Sequence, residues 1–587
     1  MAAVADQRVP SMAQPWWRHA SWRWRLVALC CGLNLVETAA LMSLDPGAHP
    51  DLAPQASAIA PFGVFGDLRW VSVYNNSWAA LGGELLALLV VRGLITAVSI
   101  ALAWPAHLPR PAVGKLLRRS LFATGLAAVL LSPSVTLLFG LAAIPVSWLF
   151  LAAVPAALLV AFIIHPAPVS GDWWQRLVAP RAVGCVALAF LTMSAASAAM
   201  DAAPAVLWPL VAVLGGLFNA WCWVKLVPAV VDRRPVRHAV PVAAIAALAL
   251  IGTVIGGTVV GFGQARKAQV LASKAPAVAT AGPGSELSVL VVSGYGSSWS
   301  GREGHPVPGS YTEERFSYRG LDAHGMPLPY NGWDTAKPLP ELDRMLLAQV
   351  AVLQARTGHL VDVVAESEGA LVAKTALLAD PSAAVATLVL ASPLEDPGRV
   401  WYPTIGDQDW GVASNEAMRL ISDALQGVAP INLSPDNPLF ASLDQQAPLL
   451  ENAMSCPIDG IRQFALLPLA DATVSPAEER LSFPSIVLPA FHGGLIESPS
   501  GARIISRVLA NKPVDNNQLL ALVDEAISYA ASAWQVPALE PLDFPRTAHG
   551  GGVYGECNQI AAELRSALFP QSPRMSGTKP PSWVATE

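Results

Sequence analysis

Long apolar stretches dominate the first 262 residues, and the polar segments between them are short. A helix crosses a membrane with about 20 apolar residues, so stretches of this length indicate membrane spans. The uncharged stretch 120–164 is long enough for two spans joined by a tight hairpin near Gly140–Pro145. Residues 45–77, which contain Pro and Asp, are predicted to form a loop. The pattern predicts an α-helical membrane domain, residues 1–262, with about seven transmembrane helices: 26–44, 78–104, two within 120–164, 182–200, 206–231 and 239–262.

After residue 286 the pattern changes to short β-branched runs that alternate with amphipathic segments. Such alternation predicts an α/β domain, residues 286–570, with a mostly parallel sheet and helices on both faces. Residues 393–456 interrupt the alternation and are predicted to be a cap insertion over the strand ends. We predict a linker at 263–285 and a disordered tail at 571–587. The predicted strands are 286–292, 316–321, 360–364, 385–391, 461–467 and 485–488, and later helices are predicted at about 338–356, 370–378, 501–510 and 517–534.

The composition and the loop charges agree with this division. Only 14% of the residues are charged, against about 25% in soluble proteins. The net charge of −6 gives no indication of nucleic-acid binding. Lys and Arg concentrate in alternate loops, while the loops between them contain only Arg69. Because basic loops stay in the cytoplasm, we predict a multi-pass protein of the cell membrane with a cytoplasmic N-terminus and an extracytoplasmic domain after residue 262.

Three ionisable residues, Glu37, Glu84 and Arg92, fall inside predicted spans. Such groups are candidates for functional sites by default. No repeat or interrupted helix indicates transport, however. We therefore expect Glu84 and Arg92 to have a structural role in contacts with neighbouring helices.

A possible nucleophile lies where the third predicted strand meets a helix. The segment Ala365-Glu366-Ser367-Glu368-Gly369 joins a β-branched run to a helical one. Small residues two positions before and after Ser367 are what a tight strand-to-helix turn requires, and such a turn exposes the central hydroxyl. The helix that follows would offer free N–H groups to a developing oxyanion. Ser367 is therefore a candidate nucleophile.

Two later residues complete a candidate catalytic set. Asp471 and His492 each follow a predicted strand, and the carboxyl ends of parallel strands are where open α/β sheets place their sites. His492 would accept the Ser367 proton, and Asp471 would orient the imidazole. His549 is the only rival to His492, but it follows a loop-like stretch. Ser367, Asp471 and His492 are the predicted catalytic residues.

The loop Gly294-Tyr295-Gly296-Ser297-Ser298-Trp299 after the first strand, the later Asp334-Thr335 and the turn at Ser367 together carry a resemblance. Over residues 286–536 the chain resembles the α/β-hydrolase fold superfamily, in its Ser…Asp…His order, and looks most like lipases and esterases. The resemblance implies cleavage of an acyl ester. A lipid-like ester fits best, because the membrane tether and the cap would keep the site near the bilayer. No cluster of His, Cys and Glu has metal-ligand spacing, so we expect no metal or cofactor. The resemblance also implies an oxyanion hole built from the amides of Tyr295 or Gly296 and of Glu368.

Two features depart from the usual form of this motif. Ala365 occupies a position that is usually Gly, and carboxylates flank the nucleophile at Glu366 and Glu368. A nearby negative charge opposes an oxyanion unless the carboxylate points away or pairs with a cation. If Glu366 and Glu368 only oppose the oxyanion, neutralising either should raise the rate or leave it unchanged.

Two other functions are compatible with the same sequence. The hydrolase fold could serve as a non-catalytic binding or sensing module, with the spans transmitting a signal. The same acyl-enzyme could instead pass its acyl group to an alcohol or sugar, as an acyltransferase does. The sequence does not indicate the acyl group, the leaving group or the oligomeric state.

The six cysteines fall into two groups. Four lie in predicted spans, where small apolar packing is expected. Cys456 and Cys557 lie in the domain predicted to be outside, where the compartment is oxidising. Neither has another candidate partner there, so we predict a Cys456–Cys557 disulfide. The four others are Cys30, Cys31, Cys185 and Cys222.

Overall fold

A computed structural model gives the architecture of most of the chain. It describes residues 16–44, 54–140, 157–171, 180–231, 288–302, 311–394, 410–425, 434–469, 481–532 and 553–569, apart from 159, 202, 491 and 516, together with 173, 432, 534 and 536. The chain divides into two compact units. One comprises residues 1–66, 87–129 and 158–247, and the other comprises 67–86, 130–157 and 248–587.

Apolar helices make up the described N-terminal part. Five of the described helices are long and apolar enough to cross a membrane. They agree with predicted spans near 26–44, 78–104, 182–200 and 206–231 and with the first of the two spans predicted within 120–164. Residues 141–156 and 239–262, on which the count of seven depends, lie outside the described residues. The helices are α1 (Trp16–Leu44), α2 (Ala60–Val73), α3 (Trp78–Ala103), α4 (Val113–Gly140), α5 (Pro180–Asp201) and α6 (Trp208–Val231).

The prediction of a loop at 45–77 was wrong in part, because α2 occupies 14 of these residues. Pro61, Gly63, Gly66 and Asp67 lower the helix propensity of the segment. Burial compensates, since Phe62, Val64 and Phe65 have no exposed surface, among others. Tertiary packing therefore forms a helix that is too short to span a bilayer and that local propensity does not predict.

Close helix contacts hold the first unit together. A Cβ on Gly216 of α6 would lie 2.6 Å from Cα of Cys31 in α1, so the two backbones approach as closely as glycine allows. The guanidinium of Arg92 donates to the carbonyl oxygens of Gln55 and Ala56. Arg92 therefore has a structural contact, as predicted, although its partner is a loop rather than a helix.

A six-stranded, all-parallel sheet forms the centre of the second unit. Its strand order is β2-β1-β3-β4-β5-β6. The second strand was predicted at 316–321, but it comes earlier, and Phe316 and Tyr318 are buried just beyond its end. The β-propensity of these aromatic residues shifted the prediction by a few positions. The strands are β1 (Ser288–Val292), β2 (Thr312–Arg315), β3 (Val361–Glu366), β4 (Val385–Ala391), β5 (Arg462–Pro468) and β6 (Ser485–Leu488).

Helices cover both faces of this sheet, as predicted. Alternate residues of β1 point to opposite faces: Leu290 and Val292 join one apolar core, and Val289 and Val291 join the other. The helices α7, α8, α10 and α13 contribute to the first core, and α11 contributes to the second. The helices are α7 (Leu339–Thr357), α8 (Glu368–Ala379), α9 (Val412–Leu425), α10 (Pro438–Ala453), α11 (Pro499–Leu509), α12 (Gln518–Ser532) and α13 (Val553–Leu568).

Two of these helices lie within the predicted insertion at 393–456. Leu439, Leu443 and Leu450 of α10 are buried in the core beneath the sheet, so this half of the segment is part of the fold's core. Residues 395–409 and 426–431 lie outside the described residues, as do the predicted linker and tail. The sequence did not predict α13, which packs Ile560, Leu564 and Leu568 into the same core.

Cys456 and Cys557 form the predicted disulfide, with their Cα atoms 5.5 Å apart. The bond joins the segment after α10 to α13. Lys374 of α8 is completely buried beside it and donates to the carbonyl oxygen of Cys456. Burial lowers the pKa of Lys374 to about 7. The disulfide and this lysine thus connect three segments that are distant in sequence.

The loop between α2 and α3 contacts the start of α9 inside the second unit, to which residues 67–86 belong. The side-chain oxygen of Asn75 accepts a 2.8 Å hydrogen bond from the amide of Ala413. Its backbone carbonyl accepts hydrogen bonds from the amides of Gly411 and Val412, and its side-chain amide donates a hydrogen bond to the Ser414 hydroxyl at 3.0 Å. Amides at a helix N-terminus have no partner inside the helix, so Asn75 caps α9 from across the chain.

Candidate active site

Ser367 lies on a sharp turn between β3 and α8. Its backbone has φ 57° and ψ −123°, a combination that is rare for any residue other than glycine. A Cβ on Gly294 would lie 2.8 Å from Cβ of Ser367, and a Cβ on Gly369 would lie 2.7 Å from the carbonyl oxygens of Val292 and Ser293. The turn therefore packs directly against the end of β1, and only glycine fits at these two contacts.

His492 faces this serine. The distance between Ser367 Oγ and His492 Nε2 is 2.7 Å, which is a short hydrogen bond. His492 lies in the turn that follows β6, and Ser367 follows β3. Both strands end at the same edge of the parallel sheet, so residues 125 positions apart meet there. A serine hydroxyl that donates to a histidine nitrogen is the arrangement that activates serine as a nucleophile.

Glu366 holds the segment that carries His492. Its Oε1 accepts a 2.7 Å hydrogen bond from the amide of Leu495. Burial raises the pKa of the Glu366 carboxyl, and the Leu495 amide and the attraction of His492 oppose that shift. This carboxyl group therefore has its own partner in the histidine segment, just beside the serine.

Glu368 is buried on the other side of the serine. Only 1% of the residue is exposed, and within the described chain neither carboxyl oxygen has a hydrogen-bond partner. Burial raises its pKa well above the usual value for glutamate. Burial disfavours the charged form of a carboxyl group, so the surroundings of Glu368 oppose a negative charge beside Ser367.

The glycine loop after β1 is fixed by hydrogen bonds. The amide of Gly296 donates to the hydroxyl of Thr335 at 2.9 Å, and that hydroxyl donates to the carbonyl of Gly332 at 2.8 Å. Asp334 and Thr335 belong to a short 3₁₀ turn, Gly332–Thr335, that Asn331 caps, rather than to the start of α7. Because the Gly296 amide is already engaged, the Tyr295 amide is the better oxyanion donor of the two that the sequence offered.

The Tyr295 side chain links this loop to the predicted insertion. Its hydroxyl donates to the carbonyl oxygen of Asn432, and Asn437 donates to the same hydroxyl. Its ring centroid lies 5.6 Å from that of Phe440 in α10. The insertion thus fixes the position of the loop that lies against Ser367.

The structure brings together Ser367, His492, Glu368 and the Tyr295 loop. Asp471 and His549 lie outside the described residues, so the role given to Asp471 stays a prediction. Among the described residues, no three His, Cys, Asp or Glu side chains are grouped to hold a metal ion.

Two contributors to the site were missed by the sequence analysis: Asn437 and the amide of Leu495. Thr335 was noted as part of the resemblance, without a role, and the small polar residues of the insertion carry no motif. Glu366 was noted only for its charge, although a carboxylate one position before a candidate nucleophile could have suggested a contact with a backbone amide.

Comparison with known proteins identifies no family: the chain matches no protein-family model, no curated protein and no solved structure.

Proposed function

We propose that this protein is a membrane-anchored serine hydrolase that cleaves a carboxylic ester with a lipid-like acyl group. The observation that carries the proposal is the 2.7 Å hydrogen bond between Ser367 Oγ and His492 Nε2, made on a strand-to-helix turn. Serine at such a turn, with histidine after a later strand of the same parallel sheet, is the arrangement expected of an α/β-hydrolase.

The chemistry follows from the roles of these groups. Ser367 attacks the ester carbonyl while His492 accepts its proton, and His492 then donates that proton to the leaving alcohol. The amides of Tyr295 and Glu368 hold the oxyanion, and water releases the acyl group from Ser367. Asp471 follows β5, next to the histidine strand, and would orient His492. The burial of Glu368 supports this scheme, because burial disfavours the negative charge that would oppose the oxyanion.

The contact of Asn75 with Gly411 supports an extracytoplasmic location. Two segments that share hydrogen bonds lie on the same side of a membrane. The scarcity of Lys and Arg in 45–77 assigns that segment to the outside. The sheet would then also be outside, with an even number of spans between residue 78 and β1. The sequence predicts six spans there, which is an even number.

The test uses the full chain, purified in detergent, and a fluorophosphonate probe that reacts with activated serines. The native protein should be labelled at Ser367, and Ser367→Ala should lose both labelling and ester turnover. His492→Ala should cost about 10⁴-fold or more in rate, because members of such a unit act together. Ser392→Ala is a matched control, since Ser392 is also buried, has positive φ and follows the neighbouring strand β4.

The two other functions give different results in this experiment. A binding or sensing module would show no labelling of Ser367 in a folded protein with an intact disulfide. An acyltransferase would be labelled, but with an added alcohol it would yield more new ester than free acid. Labelling of the Ser367→Ala variant as strong as that of the native protein would contradict the proposed nucleophile.

A further inference from the structure

Helix α9 begins where a candidate membrane span begins. Asn75 caps the helix through Ala413, and Trp78, the first residue of α3, donates its indole N–H to Glu416. Helix α3 is one of the helices able to cross a membrane. The first turn of α9 is therefore held beside the first residue of a helix that is able to cross a membrane.

Aromatic side chains surround this point. The rings of Trp70 and Tyr74 stack with centroids 5.2 Å apart, and Trp410 lies edge-on to Tyr74 at 5.9 Å. Trp78 lies one helical turn's length of chain beyond Tyr74, after Asn75, Asn76 and Ser77. Trp and Tyr concentrate at the level of the lipid headgroups, where an apolar ring and a polar N–H or O–H are both accommodated. These aromatic residues indicate that the start of α9 lies in a region typical of the membrane interface.

Helix α9 exposes large apolar side chains. Leu420 is 67% exposed and Ile421 is 43% exposed, whereas the polar residues Asn415 and Ser422 are buried. A helix that faces water buries its apolar side chains and exposes its polar ones. Asp423 is also exposed, so the outer face of α9 combines two large apolar side chains with one carboxylate.

The inward side of the helix is tied to the rest of the unit. Arg419 makes a two-pronged ion pair with Asp436, with N–O distances of 2.8 and 2.7 Å. This pair connects α9 to the segment that precedes α10, and Leu420 and Ile421 lie on the exposed side of the helix.

From these observations we propose that the outer face of α9, formed by Leu420 and Ile421, inserts into the lipid surface beside α3. The occupant is membrane lipid at the interface, in the manner of a helix that lies in the plane of the bilayer. Three features lead to this assignment: the attachment of α9 to the first residue of a span, the aromatic residues at that point and the exposed apolar face. The proposal does not depend on catalysis at Ser367.

The test places the photocrosslinker benzoylphenylalanine at position 420 of the full chain, in vesicles of phosphatidylcholine and phosphatidylglycerol. The matched control carries it at Leu360, another exposed leucine (56%), just before β3. After illumination, intact-mass analysis should detect lipid adducts at position 420 at about tenfold the yield at position 360, since only an inserted side chain has acyl chains as its neighbours. An unchanged thermal midpoint would confirm that each variant is folded.

Three results would overturn the proposal. Equal lipid adducts at positions 420 and 360, or none at 420, would mean that α9 does not insert. A crosslink from 420 to another segment of the same chain would identify that segment as the cover of the apolar face. A crosslinked dimer would identify a second copy. None of these results requires an active Ser367, so they are separate from the test of hydrolysis.

Discussion

Two glutamates flank the candidate nucleophile, and their surroundings give them different properties. From sequence, both appear as charges that oppose an oxyanion. In the structure, Glu366 accepts a hydrogen bond from the Leu495 amide in the histidine segment, whereas Glu368 is buried and its pKa is raised by that burial. Similar residues at neighbouring positions thus have separate consequences, and each leads to its own prediction.

Glu366 should act as a positioning residue for His492. Glu366→Ala removes the carboxyl oxygen that accepts a hydrogen bond from the Leu495 amide. The segment that carries His492 then loses its hydrogen bond to the residue that precedes Ser367. We expect kcat to fall by about 10–100-fold with little change in KM, as for small misplacements of a catalytic group. Glu366→Gln keeps an acceptor oxygen and should recover most of the rate. Steady-state kinetics on a soluble ester measures both, and full activity of the alanine variant would contradict the role.

Glu368 should make stability depend on pH. Its pKa is higher in the folded protein than in the unfolded chain, so the folded state keeps a proton that the unfolded chain releases above about pH 4.3. Stability is therefore lost as pH rises from that value towards the folded pKa. Glu368→Gln removes this loss, and we expect it to stabilise the protein by about 1–3 kcal/mol at pH 8 and by little near pH 4.

The measurement for Glu368 is the thermal midpoint of the native protein and of the variant across this pH range. Glu563→Gln, on an exposed position of α13, is the control and should give no pH-dependent difference. A constant difference between native and Glu368→Gln at all pH values would mean that the carboxyl is not protonated in the folded state.

Ser367 and His492 could be selected from sequence as candidates that meet at one edge of the sheet, because each has a local signal: small residues around a strand-to-helix turn, and a histidine just after a buried strand. Thr335, Asn437 and the Leu495 amide have no such signal. Each contributes through one hydrogen bond to a residue far away in sequence, and only the packed fold brings these partners together.

Among the elements, prediction succeeded where the sequence has a continuous apolar run. Strands β4 and β6 lie at the predicted positions, as do the apolar helices α3 and α6. Prediction failed where tertiary contacts decide the outcome. Helix α2 contains Pro and Gly and forms because it is buried, β2 is short and polar at the sheet edge, and α13 follows a stretch without periodicity.

The disulfide that joins α13 to the segment after α10 should stabilise the second unit. It closes a loop of 101 residues, and its removal should cost about 2–5 kcal/mol in the chain-entropy account. We expect a reductant to lower the thermal midpoint of the native protein. The same reductant should have little effect on Cys557→Ser, whose midpoint should already be low. A native midpoint unaffected by complete reduction would contradict this prediction.

At the scale of the whole molecule, the contact between Asn75 and α9 constrains the topology. Both partners must lie on one side of the membrane. Activity reporters fused after residue 111, in a predicted cytoplasmic loop, and after residue 587 should therefore indicate opposite sides, with the second outside. If both fusions were active only in the cytoplasm, the loop-charge assignment and the proposed location of the sheet would be wrong.

The cap that Asn75 supplies to α9 also bears on how this chain could be divided or inherited. Asn75 is synthesised early, and Ala413, whose amide donates to its side chain, follows 338 residues later. A protein begun at the linker would contain every strand of the sheet, yet the first turn of α9 would lack its cap and would fray. A recombination event that exchanged the membrane half for a different anchor would have the same defect. We therefore expect the two halves to be inherited together, because a hydrogen-bonded contact joins them in addition to the peptide chain.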